Sequence, residues 1–287
     1  MSIAPGPGLG LSLPHALSLL LLMIALPGSA QAGPWVKAPG DGYAKAYSAI
    51  YRTGEHQIAT PTGVEFVEGT FIGSYTGIYA EAGVAPRLLL LGPLPGVFAI
   101  NQDEEGERFT NGGLGDMELG LQYQLTRSVP IALRAVATLP LYPNTAIVTP
   151  GTPTVRPFLG EGQVDITGWI SIGHSLYPRP LYAYVDVGYR HQSDVGPGPL
   201  NIDFKPAFVY MAQVGYAGEF WLMTLGSQGQ VPFSSSAGGN KAFLDVGASL
   251  FRRLSGSWWG GLEGSGDVIS RFGASQAPRG QRLTLAL

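Results

Sequence analysis

Residues 114–125, LGDMELGLQYQL, alternate strictly between apolar and polar. Met117, Leu119, Leu121, Tyr123 and Leu125 share one parity, while Asp116, Glu118, Gly120, Gln122 and Gln124 share the other. A β-strand sends successive side chains to opposite faces, so this stretch is a ribbon with one greasy and one hydrophilic surface. The pattern recurs. Ile131, Leu133, Ala135, Ala137 and Leu139 oppose Ala132, Arg134, Val136 and Thr138. Val164, Ile166, Gly168, Ile170 and Ile172 oppose Gln163, Asp165, Thr167 and Ser171. Leu181, Ala183, Val185, Val187 and Tyr189 oppose Tyr182, Tyr184, Asp186, Gly188 and Arg190. The spacing predicts twelve strands, near 43–53, 71–84, 87–100, 114–126, 130–141, 162–176, 181–191, 203–216, 220–228, 241–252, 257–270 and 280–287. Parity does not orient the first, third and ninth.

Tight connections near Pro86, Ser128, Arg179, Gly218 and Ser255 alternate with longer polar stretches at about 54–70, 101–113, 142–161, 192–202, 229–240 and 271–280. All the short turns then fall on one side of the sheet, together with both ends of the strand array. An even number of antiparallel strands with short turns on one side and long loops on the other is the plan of a bacterial outer-membrane barrel. Aromatics near the predicted strand ends suit interfacial girdles: Tyr177, Phe220, Trp221, Phe251, Trp258 and Trp259 by the turns, Tyr142 and Phe204 by the loops.

Composition agrees. Charged residues make up 13% of the 287, about half the usual share of roughly 25% in soluble proteins. A soluble exported β-sandwich would alternate too, but would need more charge outside. A net charge of -3 gives no reason to expect nucleic acid, and the absence of cysteine excludes disulfides, thiolate metal sites and a lipoprotein anchor. No His/Asp/Glu spacing matches a metal site, and no cofactor is expected. Residues 1–32 read as a secretory signal: a short apolar run from Ala16 to Leu26, then Pro27-Gly28 and an A-x-A pattern at Ala30-Gln31-Ala32. The domain expected to follow, 33–287, has no apolar run of transmembrane-helix length, so it enters a membrane only as a closed barrel. The expected fold is therefore all-β, a single antiparallel transmembrane barrel in the outer membrane, with membrane lipid and lipopolysaccharide as its surroundings.

Turning the polar faces inward puts Glu81, Asp116, Glu118, Asp165, Asp186, Asp245, Glu263 and Asp267 in the lumen. Arg134, Arg190, Lys205 and Arg282 are the basic residues expected there, which leaves an acidic excess. Twelve strands about 4.8 Å apart and tilted near 40° enclose a backbone diameter of about 24 Å, and inward side chains reduce the passage to the order of 10 Å. Two outcomes stay open. The charges line a narrow, weakly cation-preferring pore or binding tunnel, or they pair across strands and plug the barrel, because unpaired charges in a narrow lumen are costly. The loop at 142–161, the longest, is the one expected to constrict the passage.

Gly113-Leu114-Gly115-Asp116, continuing Met117-Glu118-Leu119-Gly120-Leu121-Gln122-Tyr123, resembles the G-L-G-D-x-x-L-G-x-x-Y strand of the MetA-pathway phenol-degradation family of transporter-like outer-membrane proteins. Residues 35–43, WVKAPGDGY, and Asp186-Val187-Gly188-Tyr189-Arg190 are similar to further segments of that group. The resemblance implies a barrel that passes small molecules, hydrophobic or aromatic ones among them, and it carries over no catalytic or binding residues.

A barrel-embedded lipid hydrolase is the alternative. Gly188-Tyr189-Arg190-His191-Gln192-Ser193 resembles the G-Y-x-H-x-S strand of outer-membrane phospholipases and lipid A deacylases, in which the His serves as base for the Ser nucleophile. Parity puts His191 and Ser193 on the lipid side at the outer rim. The orienting residue those enzymes place about a dozen positions later is Lys205 here, and the nearby Asn201 and Asp203 have luminal parity. A plugged barrel serving adhesion or scaffolding through its loops is a third reading.

Overall fold

The structure, a computed structural model, describes residues 33–60, 63–142, 157–194, 204–234, 241–272, 275–276 and 279–287. The expected leader, the middle of the 142–161 loop, Asn201 and Asp203 lie outside them. The chain forms β1 (Gly42–Thr60), β2 (Gly63–Ala85), β3 (Leu88–Gln102), β4 (Arg108–Leu114), β5 (Asp116–Thr126), β6 (Ile131–Pro140) and β7 (Asp165–Ser175). There follow β8 (Leu181–Gln192), β9 (Ala207–Ala217), β10 (Trp221–Pro232), β11 (Lys241–Ser255), β12 (Trp258–Phe272), the two-residue β13 (Ser275–Gln276) and β14 (Gln281–Ala286). Each strand pairs antiparallel with its neighbours, and β14 closes on β1 from Tyr47↔Ala286 to Arg52↔Gln281. With β4 and β5 counted as one interrupted strand and the short β13, which pairs only with β12, set aside, the wall is a closed twelve-stranded antiparallel barrel.

Closure satisfies the backbone, so the outer surface can be apolar throughout. On β5, Leu119, Leu121, Tyr123 and Leu125 are all more than 40% exposed, while Gln122, between them, is 1% exposed. Leu133, Ile166, Ile170, Ile172, Val185, Val187, Leu225, Leu250, Leu262, Leu283 and Leu285 continue the exposed belt around the wall. In a soluble protein such a surface would be a large aggregation-prone patch. Here it is the face that meets lipid. Leu121→Arg, at the centre of β5, is expected to cost about 2–4 kcal/mol near the bilayer midplane. A gel-shift melting curve in detergent or lipid measures it, and an unchanged melting temperature would contradict the outward orientation.

β3 interrupts the regularity. Its lower part pairs with β5 from Leu88↔Tyr123 to Leu91↔Gly120, and its upper part pairs with β4 from Gly96↔Leu114 onward. Pro93 and Pro95 between these ladders have no N–H to donate. The Gly115 amide bridges the break by donating to the Pro95 carbonyl at 2.9 Å. At Gly92 the two backbones approach so closely that a Cβ would sit 1.9 Å from the Glu118 carbonyl oxygen, so the position requires glycine.

Several boundaries differ from the sequence expectation. The expected loop at 54–70 is instead a long hairpin, paired from Thr53↔Phe71 through to Thr60↔Gly63 with one bulge. Most of the expected loop at 101–113 is β4 and the end of β3. The strand-forming Val64, Phe66 and Val67 outweigh the flanking glycines there. Phe251 and Tyr142, assigned above to interfacial girdles, also turn inward: Phe251 is 6% exposed and Tyr142 packs on Leu159. Tyr177, Phe220, Trp221 and Trp258 do stand on the outer rim by the short turns.

Candidate functional site: the lumen and its two closures

Strand register decides which side chains line the lumen. β1, which parity left ambiguous, points Tyr43, Lys45, Tyr47 and Tyr51 inward and Ala44, Ala46, Ser48 and Ile50 outward. β2 adds Phe71, Tyr75 and Tyr79 to the inner face. β3 is apolar on both faces, with Leu89, Leu91, Val97 and Ala99 buried inside and Leu90, Leu94 and Phe98 exposed outside. The β1–β3 part of the inner wall is thus aromatic and aliphatic. Beyond β14, the middle of β10–β12 is small and polar, with Thr224 and Gly226 on β10, Gly247 and Ser249 on β11, and Ser265 on β12 in continuous register.

At the short-turn end, residues 33–38 cross the mouth inside the barrel. Gln122 Nε2 donates to the Gly33 carbonyl at 2.9 Å. Trp35 meets Tyr182 and Tyr184 edge-on, with ring centroids 5.8 and 6.4 Å apart. Pro34 is fully buried, and together with Trp35 it fills the space over Gly173 on β7. On the far side Lys37 Nζ lies 3.9 Å from Glu81 Oε2, and the Gly40 amide donates to the Gly83 carbonyl on β2. The segment therefore spans from β7 and β8 to β2. Sequence reasoning used Trp35 only for the family resemblance and did not place it in the lumen. The available signal was an apolar, aperiodic stretch directly ahead of the first strand.

At the long-loop end, the described tail of the 142–161 loop turns inward, as expected of that loop. Leu159 packs on Val97 and Ala99, with Phe71, Tyr75 and Tyr142 around it. The Glu161 amide donates to Asp116 Oδ2 at 2.9 Å, and Asn111 Nδ2 donates to the Pro157 carbonyl at 2.9 Å. Arg190 joins this tail to the wall, bonding Glu161 Oε2 at 2.7 Å, Asp165 through both Nε and Nη2, and Gln230 Oε1 at 3.2 Å. Burial and the adjacent Asp116 carboxylate raise the pKa of the Tyr142 phenol, which stays protonated.

Between the closures the charges are mostly paired. Arg134 Nη2 meets Asp186 Oδ2 at 2.8 Å, with its guanidinium 5.1 Å from the Trp169 ring centroid. Lys45 holds Glu263 at 2.9 Å and Lys241 holds Asp267 at 2.8 Å. Glu118 on β5 and Asp245 on β11 also face inward. The inward parity of Glu81, Asp116, Glu118, Arg134, Asp165, Asp186, Arg190, Asp245, Glu263, Asp267 and Arg282 matches the register. Lys205 precedes β9 and lies outside the ladder. Lys37, Lys45 and Lys241 are luminal cations that parity missed, and they reduce the expected acidic excess.

His191 pairs with Ile166 on the outward face, as expected. Ser193 Oγ accepts a hydrogen bond from the Val164 amide at 2.9 Å, closing the end of the β7–β8 ladder. Among the described residues no hydrogen bond joins it to His191.

No family model matches the chain, and no curated protein matches it. Solved structures do. The COG4313 outer membrane channel from Pseudomonas putida F1 is 11% identical, with a TM-score of 0.57, over 90% of this chain and 100% of that one. The CymD monoaromatic hydrocarbon channel (10% identity, TM-score 0.43, 87% of each chain) and the Ralstonia pickettii toluene transporter TbuX (9%, 0.42, 92% of this chain and 91% of that one) are looser matches. At 11% identity the likeness to the first of these is one of fold, and the fold is the one the family resemblance implied. A closed, even-stranded, single-chain barrel with an apolar belt is an outer-membrane architecture, and the protein is an outer-membrane β-barrel.

Proposed function

We propose that the protein is a passive outer-membrane channel for small molecules of apolar or aromatic character. The short turns would face the periplasm and the long loops the exterior. The observation that carries this reading is the divided lumen: an aromatic and aliphatic wall on β1–β3 and, across β14 from it, a small polar wall on β10–β12. An apolar solute could lie against the first while water fills the second. Ion pairing supports a pathway that is close to balanced in charge rather than strongly acidic. Planar-bilayer recording and solute uptake into liposomes test the proposal. Discrete conductance and entry of small aromatics are expected, and the absence of both would count against it. A second reading, a plugged barrel acting through its loops, is favoured by the two closures, and the same recordings separate the two.

A further inference from the structure

Arg282 differs from its neighbours in the lumen. Lys45, Arg134, Arg190 and Lys241 each hold a carboxylate, whereas among the described residues no carboxylate lies within ion-pair distance of Arg282. Asp267, two residues along β12 from its register partner Ser265, is already bound by Lys241 Nζ at 2.8 Å and by the Gly280 amide at 3.2 Å. Asp245 stands one strand further away, opposite Asp267.

The surroundings of Arg282 are aromatic. Its guanidinium carbon lies 6.0 Å from the Tyr51 ring centroid and 5.9 Å from that of Tyr75. Tyr51 meets Phe71 edge-on at 6.1 Å. Across the rung from Arg282 come Ser265, Gly247 and Gly226, which carry little bulk and leave room beside the guanidinium.

We propose that this corner is a binding site for planar aromatic carboxylates of the benzoate class. The guanidinium fork matches a carboxylate with two parallel hydrogen bonds. Tyr51 and Tyr75 offer ring surface to the aromatic body at the same place. A neutral hydrocarbon would use only the rings, and a small inorganic or aliphatic anion only the guanidinium. The inference deepens the channel reading and rests on it for access from the lumen.

Equilibrium binding to the purified full-length barrel in detergent tests it, with benzoate, benzyl alcohol and acetate as probes. Charge-assisted hydrogen bonds should give benzoate roughly ten- to hundredfold tighter binding than benzyl alcohol. Acetate should bind more weakly than benzoate. Arg282→Gln should bring benzoate down to the level of benzyl alcohol, and Tyr75→Leu should weaken both aromatics. Equal binding of benzoate and benzyl alcohol to the wild type would overturn the site, as would an advantage that survives in Arg282→Gln. Should that variant not fold, the wild-type comparison still decides. Binding does not require conduction: a benzoate preference in a silent barrel removes the channel reading alone, and conduction without the preference removes the site alone.

Discussion

On the channel reading, a chain lacking residues 33–38 is expected to conduct severalfold more current per channel than the intact protein and to keep its barrel. The segment lies inside the short-turn mouth, where Pro34 is fully buried and Trp35 stands against Tyr182 and Tyr184. Inward side chains already reduce a barrel of this size to a passage on the order of 10 Å, so a tryptophan and a proline in the opening obstruct most of it. The contacts that retain the segment are few. Edge-on aromatic pairs contribute about 0.5–1.5 kcal/mol each and the Gln122 bond a similar amount. None belongs to the strand ladder, which begins at Gly42 and closes on β14 from Tyr47 onward. Trp35→Gly should give part of the same increase. Single-channel recording checks both variants, and a conductance equal to that of the intact chain would mean that the segment does not lie in the conducting path.

The two halves of the barrel were unequally legible. From β5 to β8 the lumen side is mostly polar, so alternation orients these strands even though Ala132, Val136 and Trp169 also face inward. On β1–β3 the lumen is itself apolar. Tyr43, Tyr47, Leu89 and Leu91 face inward, and Ala44, Ser48, Leu90 and Leu94 face lipid. Both faces then look alike in the sequence, and only cross-strand register resolves them. The same distinction governs the charges. Parity correctly turned Arg134 and Asp186 inward, but their pairing depends on the alignment of β6, β7 and β8: Arg134 is in register with Trp169 and Asp186 with Ser171, so the pair crosses β7 diagonally. Trp35 had no periodic context, because residues 33–38 belong to no strand.

Pairing also bears on the choice between path and plug. Lys45 and Glu263 are 23% and 30% exposed, and Lys241 is 26% exposed although its partner Asp267 is at 9%, so both amines remain wet and can line a passage. Arg134–Asp186 does not: Asp186 is 0% exposed and lies under the guanidinium, which leans on Trp169. That pair is structural, whereas the wet ones and Arg282 remain available to a solute.

Asp186→Ala is therefore expected to destabilise the barrel far more than the same change at Asp267. Removing one partner of a buried pair leaves the other charge without compensation, at a cost of about 3–5 kcal/mol. Asp267→Ala frees an amine that can reach lumen water, and a partly exposed pair contributes about 0–1 kcal/mol. Replacing both buried partners with apolar side chains of similar volume, Arg134→Met with Asp186→Leu, should restore much of the loss, because the desolvation of both charges disappears together with their attraction. Thermal conversion of the folded to the unfolded gel band, followed for the single and double variants, gives the three values. If Asp186→Ala melts with Asp267→Ala, the Arg134 guanidinium must have water or another carboxylate within reach, and the division of the lumen charges into a dry structural pair and a wet solute-facing set would fail.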